Sequence, residues 1–142
     1  MKNLKINIEG LANKPIKVEI KRDLEITDDI EYEAKRAAAC FGYYGVLAEE
    51  AQGRVDKAEM AYDIWYGTQC RELEQENGKP FKTVEEMKRK VKMIPKYSQW
   101  QATLGKYRKE YRVLKVIAKS FEHKKDLVQT ICANRRAEFK GG

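Results

Sequence analysis

Two long runs of mainly apolar residues, spaced alternately three and four apart, constrain the fold of this chain most. The first run consists of Ile30, Ala34, Ala37, Phe41, Tyr44, Ala48, Ala51, Val55, Ala58, Tyr62 and Trp65. The second consists of Tyr97, Trp100, Leu104, Tyr107, Tyr111, Leu114, Ala118, Phe121, Lys125, Val128 and Cys132. This spacing places each run on one stripe of a helix and is typical of a coiled-coil seam. We therefore predict a mainly α fold, a long-helix hairpin or coiled-coil bundle.

The first predicted helix is too long for a compact domain of this size. From Asp28 to Trp65 it would span roughly 57 Å. A compact chain of 142 residues would be only ~37 Å across. The helix must therefore protrude, kink, or pack along a similarly long partner. Gly42, Gly45 and Gly53 would permit either a kink or a close backbone approach.

Capping and breaking residues set the boundaries of the predicted helices. Asp28, with Glu31 three residues later, predicts the start of the first long helix. Residues 75–82 contain Asn-Gly and a proline, which indicate a loop. The box Thr83–Glu86 then predicts a short helix that ends before Pro95, which suits the first turn of the second long helix.

The first 27 residues alternate between apolar and polar side chains, as β-strands do. Leu4, Ile6 and Ile8 share one face, and Ile16, Val18 and Ile20 repeat the pattern. Gly10 and the segment 13–15 supply a turn, so we predict a short N-terminal β-hairpin. A lone hairpin is marginal in water, so it must pack on its own helices or on a neighbouring subunit. The predicted domains are thus a hairpin extension over 1–27 and a helical domain over 28–142.

Charge is strongly segregated along the chain. The net charge is +7, but residues 28–78 hold five basic and twelve acidic residues, for −7, and residues 79–142 hold eighteen basic and six acidic, for +12. Clustered cations favour phosphate-rich partners. The predicted DNA-binding residues are Arg54, Lys57, Lys88, Arg89, Lys90, Lys92 and Lys96. The neighbouring Tyr97 and Trp100 could stack bases, although their place on the seam favours the core. An acidic protein, or the acidic half of a neighbouring subunit, would use the same charges.

Signatures of an enzyme are mostly absent. His123 has no second ligand at metal spacing, and Cys40, Cys70 and Cys132 have no histidine partner nearby in sequence. Asp56, Glu59 and Asp63 on one helix face favour a solvated surface over a magnesium site. We therefore expect no catalytic residue, no metal and no cofactor. The start lacks a secretory signal and no stretch could span a membrane, so we expect an intracellular protein without a membrane partner.

The second long helix carries more apolar surface than one antiparallel partner needs. We predict a homo-oligomer interface from this excess, with a simple two-helix core as the alternative. The predicted interface residues are Leu104, Tyr107, Tyr111, Leu114, Ile117, Phe121, Val128 and Ile131.

The order of these features resembles the UvsY family of tailed-phage recombination mediators over about residues 28–139. The similar elements are Tyr32-Glu33-Ala34, the stretch ending Tyr62–Gly67, Glu86-Met87-Lys88, and the last helix through Leu114, Phe121 and Lys125 to Asn134–Phe139. The hairpin lies outside the resemblance.

The resemblance implies a function and a set of partners. Members bind single-stranded DNA, help a RecA-like recombinase load onto strands coated by single-strand binding protein, and form ring-like homo-oligomers. The location implied is the host cell cytoplasm. The family's basic pair falls here at Glu59 and Ala61, so that site does not carry over. DNA contacts are expected instead at Arg54 and Lys57 or in the run from Lys88 to Lys96.

Overall fold

Two long helices dominate the chain. The computed structural model describes residues 5–9 and 15–141, with side chains described for residues 19 and 22–141. Within these ranges the elements are β1 (Lys5–Glu9), β2 (Pro15–Glu19), α1 (Ile20–Leu24), α2 (Ile30–Asn77), α3 (Val84–Lys92) and α4 (Pro95–Gly141). The prediction of a mainly helical fold with a pair of long helices is confirmed.

The N-terminal strands pair antiparallel, with Lys5 opposite Glu19 and Ile8 opposite Ile16. Most of the predicted turn, Gly10 with residues 13–14, lies outside the described residues, and Pro15, which was predicted to belong to the turn, is the first residue of β2. The alternating pattern was expected to continue through Ile20, but α1 begins at that residue. What the apolar face of these strands packs on remains a prediction, because most side chains of the segment lie outside the described part.

Helix α2 begins and ends on side-chain and glycine caps. The predicted cap at Asp28 is wrong by one residue, since Asp29 Oδ1 accepts a hydrogen bond from Tyr32 N at 3.2 Å. This contact satisfies a free backbone N–H of the first turn. The helix ends at Gly78, which has a φ of 72° and donates its N–H to Glu74 O at 3.1 Å. A residue without a Cβ adopts this left-handed conformation with little strain.

The glycines of α2 neither break the helix nor mark a tight contact within the chain. The helix is continuous through Gly42, Gly45 and Gly53. A Cβ built at each of these positions meets nothing within 4 Å. The predicted close backbone approach is therefore not found at these glycines within the described part of the chain.

Helix α3 forms where the sequence predicted it. Thr83 Oγ1 accepts a hydrogen bond from Glu86 N at 3.1 Å, which caps the first turn. Val91 is fully buried and anchors the helix, while Lys88 and Lys92 on α3 are exposed. Pro95 is the first residue of α4.

The contacts divide the chain into two units, and each unit has its own part of the seam. Unit 1 comprises residues 1–50 and 110–142, and unit 2 comprises residues 51–109. The core of unit 1 consists of Ile30, Ala37, Tyr44, Leu47, Ala48, Leu114, Ile117, Ala118, Phe121 and Val128. The core of unit 2 consists of Ala51, Val55, Ala58, Val91 and Leu104. Every member of both predicted seams is buried or half-buried, so the stripes are confirmed as the packed faces.

Most residues predicted to form a subunit interface are used inside the chain itself. Buried within their own unit are Leu104, Leu114, Ile117, Phe121 and Val128, whereas Tyr107, Tyr111 and Ile131 are half-buried. The rings of Tyr44 and Phe121 stack in unit 1 with centroids 5.2 Å apart. Packing within one chain therefore explains the apolar character of these residues without a second subunit. Their role in an oligomer remains a prediction.

A buried ion pair joins α2 and α4 in unit 1. Lys124 and Glu33 are 4% and 3% exposed, and Lys124 Nζ lies 2.5 Å from Glu33 Oε2. Lys124 also donates to the backbone O of Asp23 at 2.9 Å, and Thr27 Oγ1 donates to Glu33 Oε1 at 3.2 Å. The pair therefore connects the segment before α2 to α4 through Lys124 and to α2 through Glu33.

The Asp23 side chain completes this network. Its carboxylate accepts from Arg36 at 2.8 Å and from Glu19 N at 3.0 Å. The heptad spacing had placed Lys125, not Lys124, at the packed position. Lys125 is instead half-buried, with its Nζ 5.0 Å from the ring centroid of Phe41, a cation–π distance.

Removing the cation from the buried pair should lower the free energy of unfolding considerably. The substitution Lys124→Met leaves the Glu33 carboxylate buried without its partner, which we expect to cost about 3–5 kcal/mol in unfolding free energy. The double variant Glu33→Gln with Lys124→Met should recover a large part of that loss. Urea unfolding followed by circular dichroism measures both.

The exposed pair Glu31–Lys35, 3.3 Å apart, provides the control. Changing both of these residues to Gln should alter stability by less than about 0.5 kcal/mol. An effect of Lys124→Met as small as that of the control would contradict the assigned role of the buried pair.

The buried Tyr44 makes stability depend on alkaline pH. Burial raises the pKa of its phenol from 10.0 to about 12, so above pH 10 the unfolded phenol loses its proton while the folded one keeps it. The folded state then binds more protons, and stability falls between pH 10 and about 12. The variant Tyr44→Phe should lose this part of the decline, which chemical unfolding across that range would show. Parallel pH profiles of the two proteins would contradict the prediction.

Candidate nucleic-acid interface

Five aromatic rings cluster between α2 and α4 in unit 2, and we call them the aromatic cluster: Tyr62, Trp65, Tyr66, Tyr97 and Trp100. Tyr62 lies at the centre, with its ring centroid 6.1 Å from Trp65, 6.0 Å from Tyr66, 6.4 Å from Tyr97 and 6.1 Å from Trp100. Trp65 and Trp100 are 6.3 Å apart. These are the separations of interacting aromatic pairs.

The cluster arises because the seam changes character along α2. Small residues such as Ala51 and Ala58 are almost completely covered by the neighbouring helices. The same stripe then continues through Tyr62 and Trp65, which stay half-buried, whereas Tyr44 and Phe121 on the stripes of unit 1 are buried. All five rings of the cluster are half-buried. The cluster therefore both holds the helices together and presents ring surface to solvent.

An open concavity of about 400 Å³ lies beside the cluster and is lined by Tyr62, Asp63, Tyr66, Lys88, Lys92 and Tyr97. Lys88 and Lys92 are one helical turn apart, so they share a face of α3. Buried Val91 fixes that helix in place. Two ammonium groups and three rings therefore border the same space.

Two further concavities lie around Trp100. One, of about 360 Å³, is lined by Arg54, Lys57, Ala58, Trp100, Thr103 and Tyr107. The other, of about 280 Å³, is lined by Lys96, Gln99, Trp100 and Thr103. Trp100 and Thr103 line both, so these hollows adjoin one another.

Two buried hydrogen-bond donors belong to residues that line the concavity of about 360 Å³, and they have no acceptor among the described residues. They are Arg54 Nε and Trp100 Nε1. Buried N–H groups in proteins almost always have a partner.

The structure brings together most of the residues predicted to contact DNA. Arg54, Lys57, Lys88, Lys92 and Lys96 each line one of the three concavities. No pattern in the sequence predicts that both groups of cations lie beside members of one aromatic cluster. The remaining pair, Arg89 and Lys90, is exposed on α3 and lines none of the three.

Tyr97 and Trp100 depart from the sequence expectation. Their seam positions favoured the core, but each is half-buried and lines a concavity. A seam position determines the direction in which a side chain points and not how much of it is covered, since Tyr44 and Phe121 on the same seams are buried.

Tyr66 and Asp63 line the first concavity but were not predicted as site residues. The one sequence signal for them is their position relative to Tyr62: Asp63 follows it directly, and Tyr66 lies one helical turn later.

Intrachain pairing leaves most of these cations available. Within the described residues, Arg54, Lys57, Lys92 and Lys96 have no carboxylate within 4.0 Å. Lys88 lies 3.8 Å from Glu85 in an exposed pair, which contributes little.

Glu59, at which the resemblance places one of the family's basic residues, is a carboxylate that is already paired. Glu59 Oε1 accepts from Arg108 at 2.9 Å. Glu59 therefore helps to join α2 to α4 in unit 2.

Burial also affects the ionisation of groups around the cluster. It raises the pKa of Tyr62, with the nearby Tyr97 and Tyr66 phenols adding to the effect. It raises the pKa of Tyr66 in the same way, with Cys70 as the next cause. The pKa of the Cys70 thiol is also raised by burial, so the reactive thiolate is disfavoured at neutral pH. The site is therefore one of neutral rings and fixed cations.

The described part of the chain offers neither a metal site nor a membrane span. No group of three or more His, Cys, Asp or Glu residues there could hold a metal ion. None of the described helices is long and apolar enough to cross a membrane. His123 is exposed on α4, and the three cysteines are free and half-buried.

Comparison of the chain with protein-family models, curated proteins and solved structures finds no match. The resemblance to the UvsY family therefore rests on the sequence pattern alone.

Proposed function

We propose that the protein binds single-stranded DNA through the aromatic cluster and the cations around it. One observation carries this proposal. Five basic side chains from α2, α3 and α4 line concavities whose walls are half-exposed Tyr and Trp rings. The cations can neutralise the phosphates of a strand, and unpaired bases can stack on the rings. Neither the rings nor the cations require any chemistry at the site, so we propose a binding protein and not an enzyme.

The mechanism combines backbone electrostatics with stacking. Each phosphate that a cation neutralises releases counterions, which makes binding salt-dependent. Each base that stacks on a ring contributes about 1–3 kcal/mol. A duplex hides the faces of its bases, so the rings favour single strands.

The biological role that we propose follows the resemblance to the UvsY family. In this role the protein is a phage recombination mediator in the host cell cytoplasm. It helps a RecA-like recombinase to load onto strands coated by single-strand binding protein. A homo-oligomeric ring would present many copies of the interface to one strand, so modest contacts would combine into tight binding.

Neutralising the two lysines of the first concavity should weaken binding and its salt dependence together. The double substitution Lys88→Gln with Lys92→Gln removes two phosphate contacts. The slope of log affinity against log salt should then become shallower by about 1.4, at ~0.7 per contact for single strands. Fluorescence anisotropy of a labelled, unstructured oligonucleotide at several salt concentrations measures both quantities.

The matched control neutralises Lys79 and Lys82, which are also exposed in unit 2 but line none of the three concavities. It should retain the wild-type slope. Equal slopes for all three proteins would rule out the first concavity as the DNA site. Failure of wild-type protein to bind the oligonucleotide, together with salt-sensitive self-association in sedimentation, would favour docking on an acidic protein surface instead.

A further inference from the structure

Asp63 is an anion in the wall of a concavity that otherwise presents cations and rings. It lies on α2 beside Tyr62 and lines the same space as Lys88 and Lys92. Among the described residues, no lysine or arginine nitrogen lies within 4.0 Å of its carboxylate, and the side chain is exposed. Both of its oxygens are therefore free to accept hydrogen bonds from a ligand.

A phosphate bound in this concavity would not contact the carboxylate of Asp63 favourably, because two anions side by side repel. A nucleobase with a hydrogen-bond donor would. A base stacked on Tyr66 or Tyr97 would turn one polar edge toward the wall of the concavity, where Asp63 can accept a hydrogen bond. Carboxylates accept from the exocyclic amine of cytosine. Uracil and thymine carry a carbonyl oxygen at that position, whose lone pairs would face the carboxylate.

We infer that the concavity holding Asp63 binds a nucleobase and prefers bases with an exocyclic amine, so that cytosine is favoured over uracil and thymine. This inference rests on the proposed binding of single-stranded DNA. The volume of the concavity, about 400 Å³, lies within the ~300–1,000 Å³ that is typical of small-molecule sites. Lys88 and Lys92 hold the flanking phosphates, while Asp63 selects the base.

The arrangement predicts a compositional preference that phosphate contacts cannot produce. Lysine contacts to phosphate carry no base information, and stacking is tolerant of sequence. Cytosine and uracil have the same ring size and differ at the polar edge of the base, and a preference read at that edge depends on the side chain that faces it, whereas a preference from stacking does not. Asp63 is the carboxylate in the wall of the concavity that can read that edge.

The test compares oligodeoxycytidine with oligodeoxyuridine of equal length, at a pH where cytosine N3 is unprotonated. These bases differ at position 4 and in the proton on N3. Wild-type protein should bind the cytidine strand about fivefold more tightly, a modest part of the discrimination that a good base contact gives. The variant Asp63→Asn, whose amide can both donate and accept, should bring the ratio close to one. It should also strengthen binding of the uridine strand, because a repulsive charge is lost.

Asp56→Asn is the matched control. Asp56 is exposed on the same helix two turns earlier and does not line the first concavity. Its removal changes the net charge equally and should leave the ratio of the two affinities as in wild type. If Asp63 were merely a repulsive charge, Asp63→Asn and Asp56→Asn would both raise the two affinities in parallel, and the inference would be overturned.

The outcomes separate this inference from the proposed function. Tight binding of both strands with equal affinity by wild-type protein would overturn the base preference and leave DNA binding intact. Binding of neither strand would overturn both. A cytidine preference that survives in Asp63→Asn would assign the selection to another residue and overturn the role of Asp63.

Discussion

The pairing of α2 with α4 through one apolar stripe on each helix is the interaction on which the rest of the structure depends. In both units the stripe residues are buried or half-buried, and hydrophobic burial of such a stripe is what stabilises long helices. The two units then differ in how far the stripe is covered. In unit 1 the helices bury even the rings of Tyr44 and Phe121. In unit 2 the rings of Tyr62, Trp65, Tyr97 and Trp100 stay half-buried, and ring surface remains beside Lys88, Lys92 and Arg54.

A second constraint acts in unit 1, where a charge is buried instead of an apolar side chain. Lys124 is 4% exposed and contacts both Glu33 and the backbone of Asp23. Buried pairs contribute little net stability compared with apolar residues, but breaking one is costly. Such a pair favours one register of α2 against α4 and one position for the segment before α2. A shift of a helix or of that segment would leave a buried charge without its partner. Apolar contacts by themselves discriminate less between neighbouring registers.

The sequence predicted the periodic features of the fold well and the individual polar contacts less well. The two stripes, the Thr83 cap and the start at Pro95 depend on local patterns, and each is found in the structure. The cap of α2 falls on Asp29 and the buried lysine is Lys124, each one residue away from the expected position, since neighbouring acids or lysines are equivalent until the chain is packed. The approach of Arg54 and Lys88 to one set of rings could not be predicted, because it depends on how three helices meet.

Direct contact between the aromatic cluster and a strand is the central claim, and photochemical cross-linking tests it most directly. An unstructured oligonucleotide that carries a photoreactive halogenated pyrimidine would be irradiated with the protein, and the modified peptides would be identified by mass spectrometry. Stacking on the cluster predicts adducts at Tyr66, Tyr97 or Trp100. Adducts confined to residues of unit 1, or no adduct despite measurable binding, would contradict the account.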